Sequence, residues 1–490
     1  MGLWSTKSIA SLQAERAGDG SEPGFDRALG TVNLTSLGVG ATIGAGIFVV
    51  TGTAAAQYAG PAVVLSFLIA GLGCLCAGMC YAEFAGMVPV TGSAYTYTHA
   101  SFGELAAWIV GWDLIIEYLF GAAAVAVSWS GYFAAFLRGV GVNLPVSLTH
   151  APFAADGGWH VSRAPYGVVD LPAIMLVLIA TAILATGIKA STAVNNVIVF
   201  VKLAVIVLII VFGFMYVRPE NWRPFIPTGG SAADGYGWSG VLRAVGIVLP
   251  TLIGFDAVST ASQEARSPQR DVPVAILASL SICAALYILV ALVVTGLTKY
   301  PELNAPHPIL VAVTAAGPAL HWLAPLIDVA AIASLASVVL VLLLAQPRIL
   351  FAMSRDGLLP AALSQVHPKF RTPYLATILT GIVASIFAGF FPIELLWDLA
   401  IIGALFAFAV VCAGVLALRY RSPNLMRPFR VPFVPVVPIL GILFSLAMMA
   451  TLPRDTWVRL AVWVVIGIGV YFVYGARNSR RLRGAAVSSD

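Results

Sequence analysis

The feature that most constrains this chain is a succession of long apolar runs. Twelve stretches of membrane-crossing length follow one another along the 490 residues, with cores near residues 31–55, 61–86, 104–135, 169–188, 191–216, 239–261, 273–297, 323–352, 373–391, 395–418, 432–452 and 457–475. A helix needs about 20 apolar residues to cross a hydrocarbon core of roughly 30 Å. Charged residues make up only 10% of the chain, against roughly a quarter in soluble domains. The sequence therefore predicts an all-α membrane protein with twelve transmembrane helices.

Two of these runs are interrupted near their middle. Glycines crowd residues 40–48 in the first run, and residues 250–256, which begin with a proline, interrupt the sixth. Unpaired backbone groups in hydrocarbon cost several kcal/mol each, so a broken helix is tolerated only where protein or a watery cavity satisfies them. If ten helices form two inverted halves of five, helices 1 and 6 are equivalent, and paired interruptions of this kind indicate a transporter's substrate site. The alternative is that Gly40 and Gly44 form a helix-packing face.

The physics of a broken helix also suggests a ligand. The amino end of a half-helix presents free N–H groups and a positive dipole to a carboxylate, while the carbonyl end presents acceptors to an ammonium group. A zwitterionic α-amino acid satisfies both ends, so the sequence predicts an amino acid substrate.

The basic residues predict the orientation in the bilayer. Of the 27 Lys and Arg residues, 17 fall on the side of the N terminus and 8 on the opposite side. Positive residues favour the cytoplasmic side, so both termini are expected inside a cell inner (plasma) membrane. The first thirty residues do not have the pattern of a signal peptide. The expected division is a cytoplasmic tail (1–30), a ten-helix transport core (31–418), helices 11 and 12 (419–476) and a second cytoplasmic tail (477–490). The net charge of +5 needs no nucleic-acid partner.

A lysine lies deep within the fifth apolar run. Lys202 has five apolar residues on each side, so its ammonium group cannot easily reach an interface and needs an internal acceptor. Ionisable residues inside a membrane segment are functional candidates by default. Two roles remain open and do not exclude each other: a structural lysine bonded to backbone carbonyls, and a proton-coupling group.

Several carboxylates also lie in the apolar runs, and four of them have predicted roles. Asp113 and Glu117 have i, i+4 spacing and share a helix face, so they cannot both ionise comfortably without a nearby donor. We expect Asp113 to bond to a neighbouring helix, whereas Glu117 fits proton handling and helix bracing equally. Asp256 follows the second interruption, where it is expected to cap the exposed amides of a helix start. Glu83, near the end of the second run, is expected to be a satisfied edge carboxylate.

Nothing in the sequence predicts a cofactor, a metal site or an enzyme. All five cysteines lie in apolar runs, where a free thiol behaves as a small hydrophobic group. Cys76 and Cys80 are one helical turn apart but lack further ligands nearby. No catalytic cluster of His, Cys or paired carboxylates occurs in the polar connections, so a membrane-embedded enzyme or a channel is a remote alternative.

These motifs resemble the amino acid–polyamine–organocation superfamily, and within it the cationic amino acid transporter branch with its bacterial homologues. The resemblance is carried by GVGATIGAGIF (38–48), YAEFA (81–85) with PVTGSAYTY (89–97), GWDLIIEY (111–118), GFDA (254–257), PQRDVP (268–273), and Arg348 with AMSRDGLLP (352–360). It implies a LeuT-type fold, a 5+5 inverted repeat with broken helices 1 and 6. The sequence departs from the family at Pro250-Thr251, where an aromatic residue followed by a small one is more usual.

The resemblance also implies the roles of individual residues. Amide groups of Gly44, Ala45 and Gly46 would bind the substrate carboxylate. Carbonyl groups near Thr42, Pro250, Thr251 and Ile253 would receive the substrate ammonium, and Ile43 would also belong to the substrate site. Lys202 would occupy the place that a sodium ion takes in other members, and Leu342 would line the side-chain pocket.

Because Leu342 is apolar and no acidic residue is placed for a second ammonium, we expect small or medium neutral L-amino acids as substrates. The buried Lys202 predicts that their uptake is coupled to protons. The alternative is a transporter or exchanger of cationic amino acids or polyamines.

Overall fold

The structure, a computed structural model, describes residues 6–9, 12, 25–44, 46–155, 161–163, 167–227, 236–305 and 307–479. Over these ranges the regular structure consists of α-helices, short 3-10 and π-helical turns, and one short antiparallel pair of strands, β1 (Phe153–Ala155) and β2 (Val161–Arg163). The helices are α1 (Thr31–Thr42), α2 (Thr51–Ala54), α3 (Val63–Met87), α4 (Ala94–Ser101), α5 (Glu104–Ile115), α6 (Gly121–Gly139), α7 (Leu171–Ala185), α8 (Ile188–Phe214), α9 (Trp238–Val248), α10 (Ala257–Thr260), α11 (Pro268–Leu297), α12 (Pro308–Ala315), α13 (Ala324–Arg355), α14 (Tyr374–Phe390), α15 (Ile393–Arg421), α16 (Val436–Ala450), α17 (Arg454–Val470) and α18 (Ala476–Asn478).

The helices have the length and composition of a multi-span membrane protein. Among the described residues, 8 continuous helical segments are long and apolar enough to cross a membrane, and three shorter apolar helices, α7, α14 and α16, accompany them. Some of these segments contain more than one helix. For example, a π-helical turn at Ile116–Phe120 connects α5 to α6 without a loop. The prediction of an all-α, multi-span membrane protein is confirmed.

Both predicted interruptions are present. Helix α1 ends at Thr42, Ile43 has extended backbone, and helical structure resumes at Gly46 as a π-helical turn that leads into α2. Helix α9 ends at Val248 and continues only as one 3-10 turn before Ile253, which is extended. The two breaks therefore lie in the first and the sixth apolar runs, as the glycines and the proline indicated.

Gly254 brings the two interruptions into contact. Its φ of +125° is rarely adopted by residues with a side chain, and a Cβ there would lie 3.0 Å from the carbonyl carbon and oxygen of Ala41. Glycine is therefore required both for the backbone conformation and for the close approach of the two chain segments.

The second apolar run is tied to the C-terminal part of the chain by Glu83. Its carboxylate accepts bonds from Arg419 at 3.0 and 2.6 Å, from Arg427 at 3.1 Å and from the Val431 amide at 2.7 Å. Helix α3 is thereby held to the end of α15 and to the connection before α16. The expectation that Glu83 is a satisfied carboxylate is confirmed, and its partners also explain why Arg427 is buried.

Candidate functional site

A cavity of about 630 Å³ lies where the two interruptions meet. The first interruption contributes Thr42, Gly44 and Gly46 to its wall. The second interruption contributes four wall residues: Pro250, Thr251, Ile253 and Gly254. The cavity is thus bounded by the non-helical backbone of two separate chain segments, as a site formed by broken helices requires.

The remaining wall is mostly apolar and comes from α6, α13 and α15. Leu342 and Val338 face the cavity from α13, and Val125 faces it from α6. Helix α15 adds Trp397 and Ile401. A substrate held at the backbone of the interruptions would therefore place its side chain against aliphatic and aromatic groups.

Two glycines in the first interruption stand against bulky neighbours. A Cβ on Gly46 would overlap the side chain of Thr251, and one on Gly44 would lie 3.0 Å from Cγ2 of Val338. The packing leaves no room for a side chain at Gly46, so the two interruptions can approach each other only because this residue has none.

The other predicted site residues lie around the cavity rather than in its wall, with one exception. Ile43 is fully buried and its carbonyl oxygen points to Lys202. Asp113, Lys202 and Asp256 do not line the cavity, whereas Glu117 does. Ala45, which was predicted to offer an amide to the substrate carboxylate, lies outside the described residues.

Tyr287 on α11 joins the two interruptions, and the sequence did not indicate it. Its single hydroxyl proton is shared between the carbonyl oxygens of Thr42 and Thr251, which lie 3.3 and 3.1 Å from the hydroxyl oxygen. These are two of the carbonyls predicted to receive the substrate ammonium, so Tyr287 holds in place the acceptors that a ligand would use. A single tyrosine within an apolar helix carries no sequence signal that separates this role from core packing.

Lys202 finds its internal acceptors at the end of α1. Its Nζ donates to the carbonyl oxygens of Ile43 at 2.8 Å and Gly40 at 3.1 Å, and the side chain is fully buried. Ser337 on α13 also donates to the Gly40 oxygen, at 3.3 Å. The last carbonyls of a helix carry partial negative charge, which suits an ammonium group, so the predicted need for an internal acceptor is confirmed.

Asp256 does not cap a helix, and that expectation is corrected. No side-chain capping bond is present at the start of α10; instead the Tyr118 hydroxyl donates to the Asp256 carboxylate. Helix α10 is a single turn, and the hydroxyl that binds the carboxylate comes from the π-helical turn that carries Tyr118. Glu117 lies beside Asp256 in this buried cluster, next to the cavity.

Asp113 also departs from expectation. We expected a bond to a neighbouring helix, but neither carboxylate oxygen has a hydrogen-bond partner among the described residues. The side chain instead lies against Gly403 of α15, where a Cβ would come within 3.3 Å of Oδ1. The small residue opposite leaves space for the carboxylate but offers no donor.

The cavity continues past the interruptions to residues near the end of α6 and the start of α15. Its outer part is lined by Tyr132, His307 and Glu394, which lie on the face away from the start of α1. Toward the other face, Ser259 donates to Ser93 at 2.7 Å and Arg348 pairs with Glu264 at 2.6 Å. These buried contacts separate the cavity from the face that carries the N-terminal residues.

Comparison with known proteins agrees with this geometry. A model of the amino acid permease family matches residues 29–471. A branched-chain amino acid permease, BcaP, of Bacillus subtilis is 44% identical over 97% of this chain and 98% of its own length. A methylthioribose transporter of the same organism is 43% identical over 97% and 98%. A vacuolar cationic amino acid transporter of Arabidopsis thaliana is 38% identical over 81% of this chain and 64% of its own length.

Proposed function

This chain belongs to the amino acid permease family, and from that premise we propose that it takes up neutral amino acids with small or medium apolar side chains, together with a proton. That it is an amino acid permease, and not an enzyme, follows from the family. The observation that carries the substrate class is the cavity itself, in which exposed backbone at two helix breaks faces a wall of aliphatic and aromatic side chains.

In this proposal the backbone binds the part that all α-amino acids share. The amides around Gly44 and Gly46 receive the substrate carboxylate at the amino end of a half-helix. The carbonyls of Thr42, Thr251 and Ile253, with that of Pro250, receive its ammonium group. A carbonyl oxygen has two lone pairs, so the bonds from Tyr287 to Thr42 and Thr251 leave acceptor capacity for a ligand.

Leu342 and its neighbours would then select the substrate side chain. Their apolar surface favours aliphatic side chains, in agreement with the name of the branched-chain permease that is 44% identical to this chain. Pro250 stands where the family more often has an aromatic residue, and the ring of Trp397 from α15 offers the bound side chain an aromatic surface instead.

Proton coupling is assigned to Lys202 and Glu117. The Lys202 ammonium is held by carbonyls of α1, and a movement of α1 that removed these acceptors would favour loss of the proton, since a buried ammonium without acceptors is unstable. Glu117 faces the cavity and lies next to Asp256. In this scheme a proton reaches the Glu117 carboxylate from the cavity, and the protonation of Lys202 depends on the position of α1.

We further propose how the helices of the transporter are arranged in the membrane. Twelve transmembrane helices are arranged as a LeuT-type 5+5 inverted repeat over residues 31–418, with two more helices in 419–476, and the tails 1–30 and 477–490 are cytoplasmic. The interruptions in the first and sixth runs and the excess of basic residues on the N-terminal side support this arrangement. The cavity then faces outward, and the protein lies in the cell inner membrane.

A methylthio-sugar is the second candidate substrate, because a relative named as a methylthioribose transporter is 43% identical over nearly the same length. Such a ligand would place hydroxyl groups near Ser128, Tyr132 and Glu394 in the outer part of the cavity. It lacks the carboxylate and ammonium that the two interruptions would bind, which is why the amino acid is preferred.

Uptake of labelled alanine and leucine into proteoliposomes tests the proposal. An inward proton gradient without sodium should drive accumulation, and unlabelled neutral amino acids should compete. Competition by lysine, putrescine or methylthioribose at lower concentrations than leucine would overturn the substrate class. Accumulation that requires sodium and survives a collapsed proton gradient would overturn the coupling ion while leaving the substrate class intact.

A further inference from the structure

A second cavity, of about 340 Å³, lies at the start of α8, on the face that carries the N-terminal residues and far from the helix interruptions. Of the described residues that line it, three are basic, Arg27, Lys189 and Arg266, and one is acidic, Asp26. Asp26 pairs with Lys189 at 2.8 Å. Among the described residues of the lining, basic side chains therefore outnumber carboxylates, which suits an anionic ligand.

The backbone brings two of these basic residues together. The Leu29 amide donates to the Glu264 carbonyl at 3.0 Å, and the Arg266 amide donates to the Leu29 carbonyl at 2.8 Å. The segment before α1 and the turn before α11 are thereby paired side by side. Arg27 and Arg266 converge on the cavity because of this pairing, although they are far apart in sequence.

A buried hydroxyl in the cavity wall also lacks a partner. Thr192, on the first turns of α8, is only 3% exposed, and its Oγ1 has no hydrogen-bond partner among the described residues. A buried polar group left unpaired is costly, and a phosphate oxygen is an acceptor for this hydroxyl. The amino end of α8, which has no side-chain cap, adds a positive dipole at the same place.

The face of α8 that leaves the cavity is apolar and exposed. Val197 is 65% and Phe200 74% exposed, and in a membrane protein such a face contacts acyl chains. A ligand seated in the cavity thus has its polar part among basic groups and a hydrocarbon surface directly beside it. Basic pockets between transmembrane helices bind anionic lipid headgroups in this way.

We propose that this cavity binds the phosphate of an anionic phospholipid headgroup, with the acyl chains along the exposed face of α8. The bound phosphate links the segment before α1, the start of α8 and the turn before α11. These are elements that must separate if the closed face is to open, so the lipid stabilises the state in which this face is closed.

Native mass spectrometry of the full-length protein in detergent tests the proposal, with phosphatidylglycerol and phosphatidylcholine of identical acyl chains as probes. Phosphatidylglycerol should bind preferentially, and Arg266→Ala should weaken its binding roughly fivefold, the effect of one basic residue near a headgroup. Thr192→Val should also weaken it, with no change in net charge. Arg270→Ala is the matched control, because Arg270 is exposed on the next turn and lies outside the cavity.

The results that would contradict the proposal can be told apart. Equal binding of the two lipids, or an equal loss in Arg270→Ala, would show general surface attraction and overturn the site. Displacement of phosphatidylglycerol by millimolar inorganic phosphate would identify a soluble anion as the ligand and overturn the lipid assignment. Thermal unfolding of each variant without added lipid checks that the substitutions leave the fold intact, and Thr192→Val keeps the test decisive if Arg266→Ala unfolds.

Discussion

Arg348 and Glu264 form a two-point ion pair, with Nε to Oε2 at 2.9 Å and Nη2 to Oε1 at 2.6 Å, and both side chains are buried. The pair joins α13 to the turn before α11. The same turn pairs through its backbone with Leu29, so the ion pair lies at the centre of the contacts that close the face carrying the N-terminal residues.

Arg348→Met is expected to lower stability strongly, since it leaves the Glu264 carboxylate buried without a partner. Breaking one half of a buried ion pair costs about 3–5 kcal/mol. Thermal unfolding in detergent, followed by tryptophan fluorescence, measures the loss. The double variant Arg348→Met with Glu264→Gln should recover part of it, because no buried charge remains; an equal or larger loss in the double variant would contradict this account.

Gly46→Ala is expected to abolish substrate binding while the protein still inserts and folds. The added Cβ overlaps Thr251 and pushes apart the two interruptions that would bind the amino acid backbone. Gly131→Ala is the control, because Gly131 lines the same cavity and a Cβ there contacts nothing within 4 Å. Equilibrium binding of labelled leucine should distinguish them, and wild-type affinity in Gly46→Ala would refute the assigned site.

Leu342→Ser should change the substrate profile. Removing aliphatic surface from the pocket weakens binding of apolar side chains by about 1–3 kcal/mol, or tenfold and more, and opens space for longer or cationic amino acids. Leu326→Ser on the exposed side of the same helix is the control. Competition across an amino acid panel is the measurement, and an unchanged profile would mean that Leu342 does not contact the substrate.

Lys202→Met is expected to stay folded but to lose accumulation driven by an inward proton gradient. Methionine preserves much of the apolar stem while removing the ammonium bonds to Ile43 and Gly40. Exchange of substrate at equal concentrations, which needs no gradient, separates a coupling defect from a binding defect. Lys369→Met, at an exposed lysine, controls for the loss of one charge. Normal accumulation by Lys202→Met would reduce Lys202 to a structural residue.

Lys7→Ala should release the described part of the N-terminal segment from the helix bundle. The Lys7 ammonium pairs with Asp356, and its amide donates to the His99 carbonyl at 3.2 Å. Burial raises the pKa of Asp356, but the Lys7 charge and the His99 contact outweigh it and hold this pKa well below its usual value. Faster hydrogen exchange at the N-terminal amides is the expected result.

The pH dependence of that effect has a definite sign. A carboxylate with a lowered pKa stabilises the folded form above its unfolded pKa of about 3.9 and loses this contribution as the pH falls. The difference in N-terminal hydrogen-exchange rate between wild type and Lys7→Ala should therefore be at its full size at pH 6 and should shrink below about pH 4. A difference that grows on acidification would contradict an ion pair at Asp356.

The helical membrane architecture and the two interruptions could be predicted from the sequence, because apolar length and clustered glycines act locally. Lys202 was predictable for a related reason: a lysine so deep in an apolar run must find acceptors. The bonding of Asp256 and Asp113 could not be predicted, since it depends on which side chain a neighbouring helix presents. Asp256 meets the hydroxyl of Tyr118, whereas Asp113 meets a glycine.

Tyr287 was missed for a different reason. Its function depends on two carbonyl oxygens that come close only after α1, α9 and α11 have packed together. A local pattern cannot report a bond between three distant segments. The same holds for the pairing of Leu29 with the turn before α11, which places basic residues from separate parts of the chain in one cavity.

The ammonium group at Ile43 and Gly40 is attached to the chain that it holds together. A cation bound from solution at these two carbonyls would have an occupancy that depends on its concentration. A tethered group has an effective concentration fixed by the length of its own side chain. We therefore expect the contact between α1 and α8 to be equally populated at low and at high sodium concentrations.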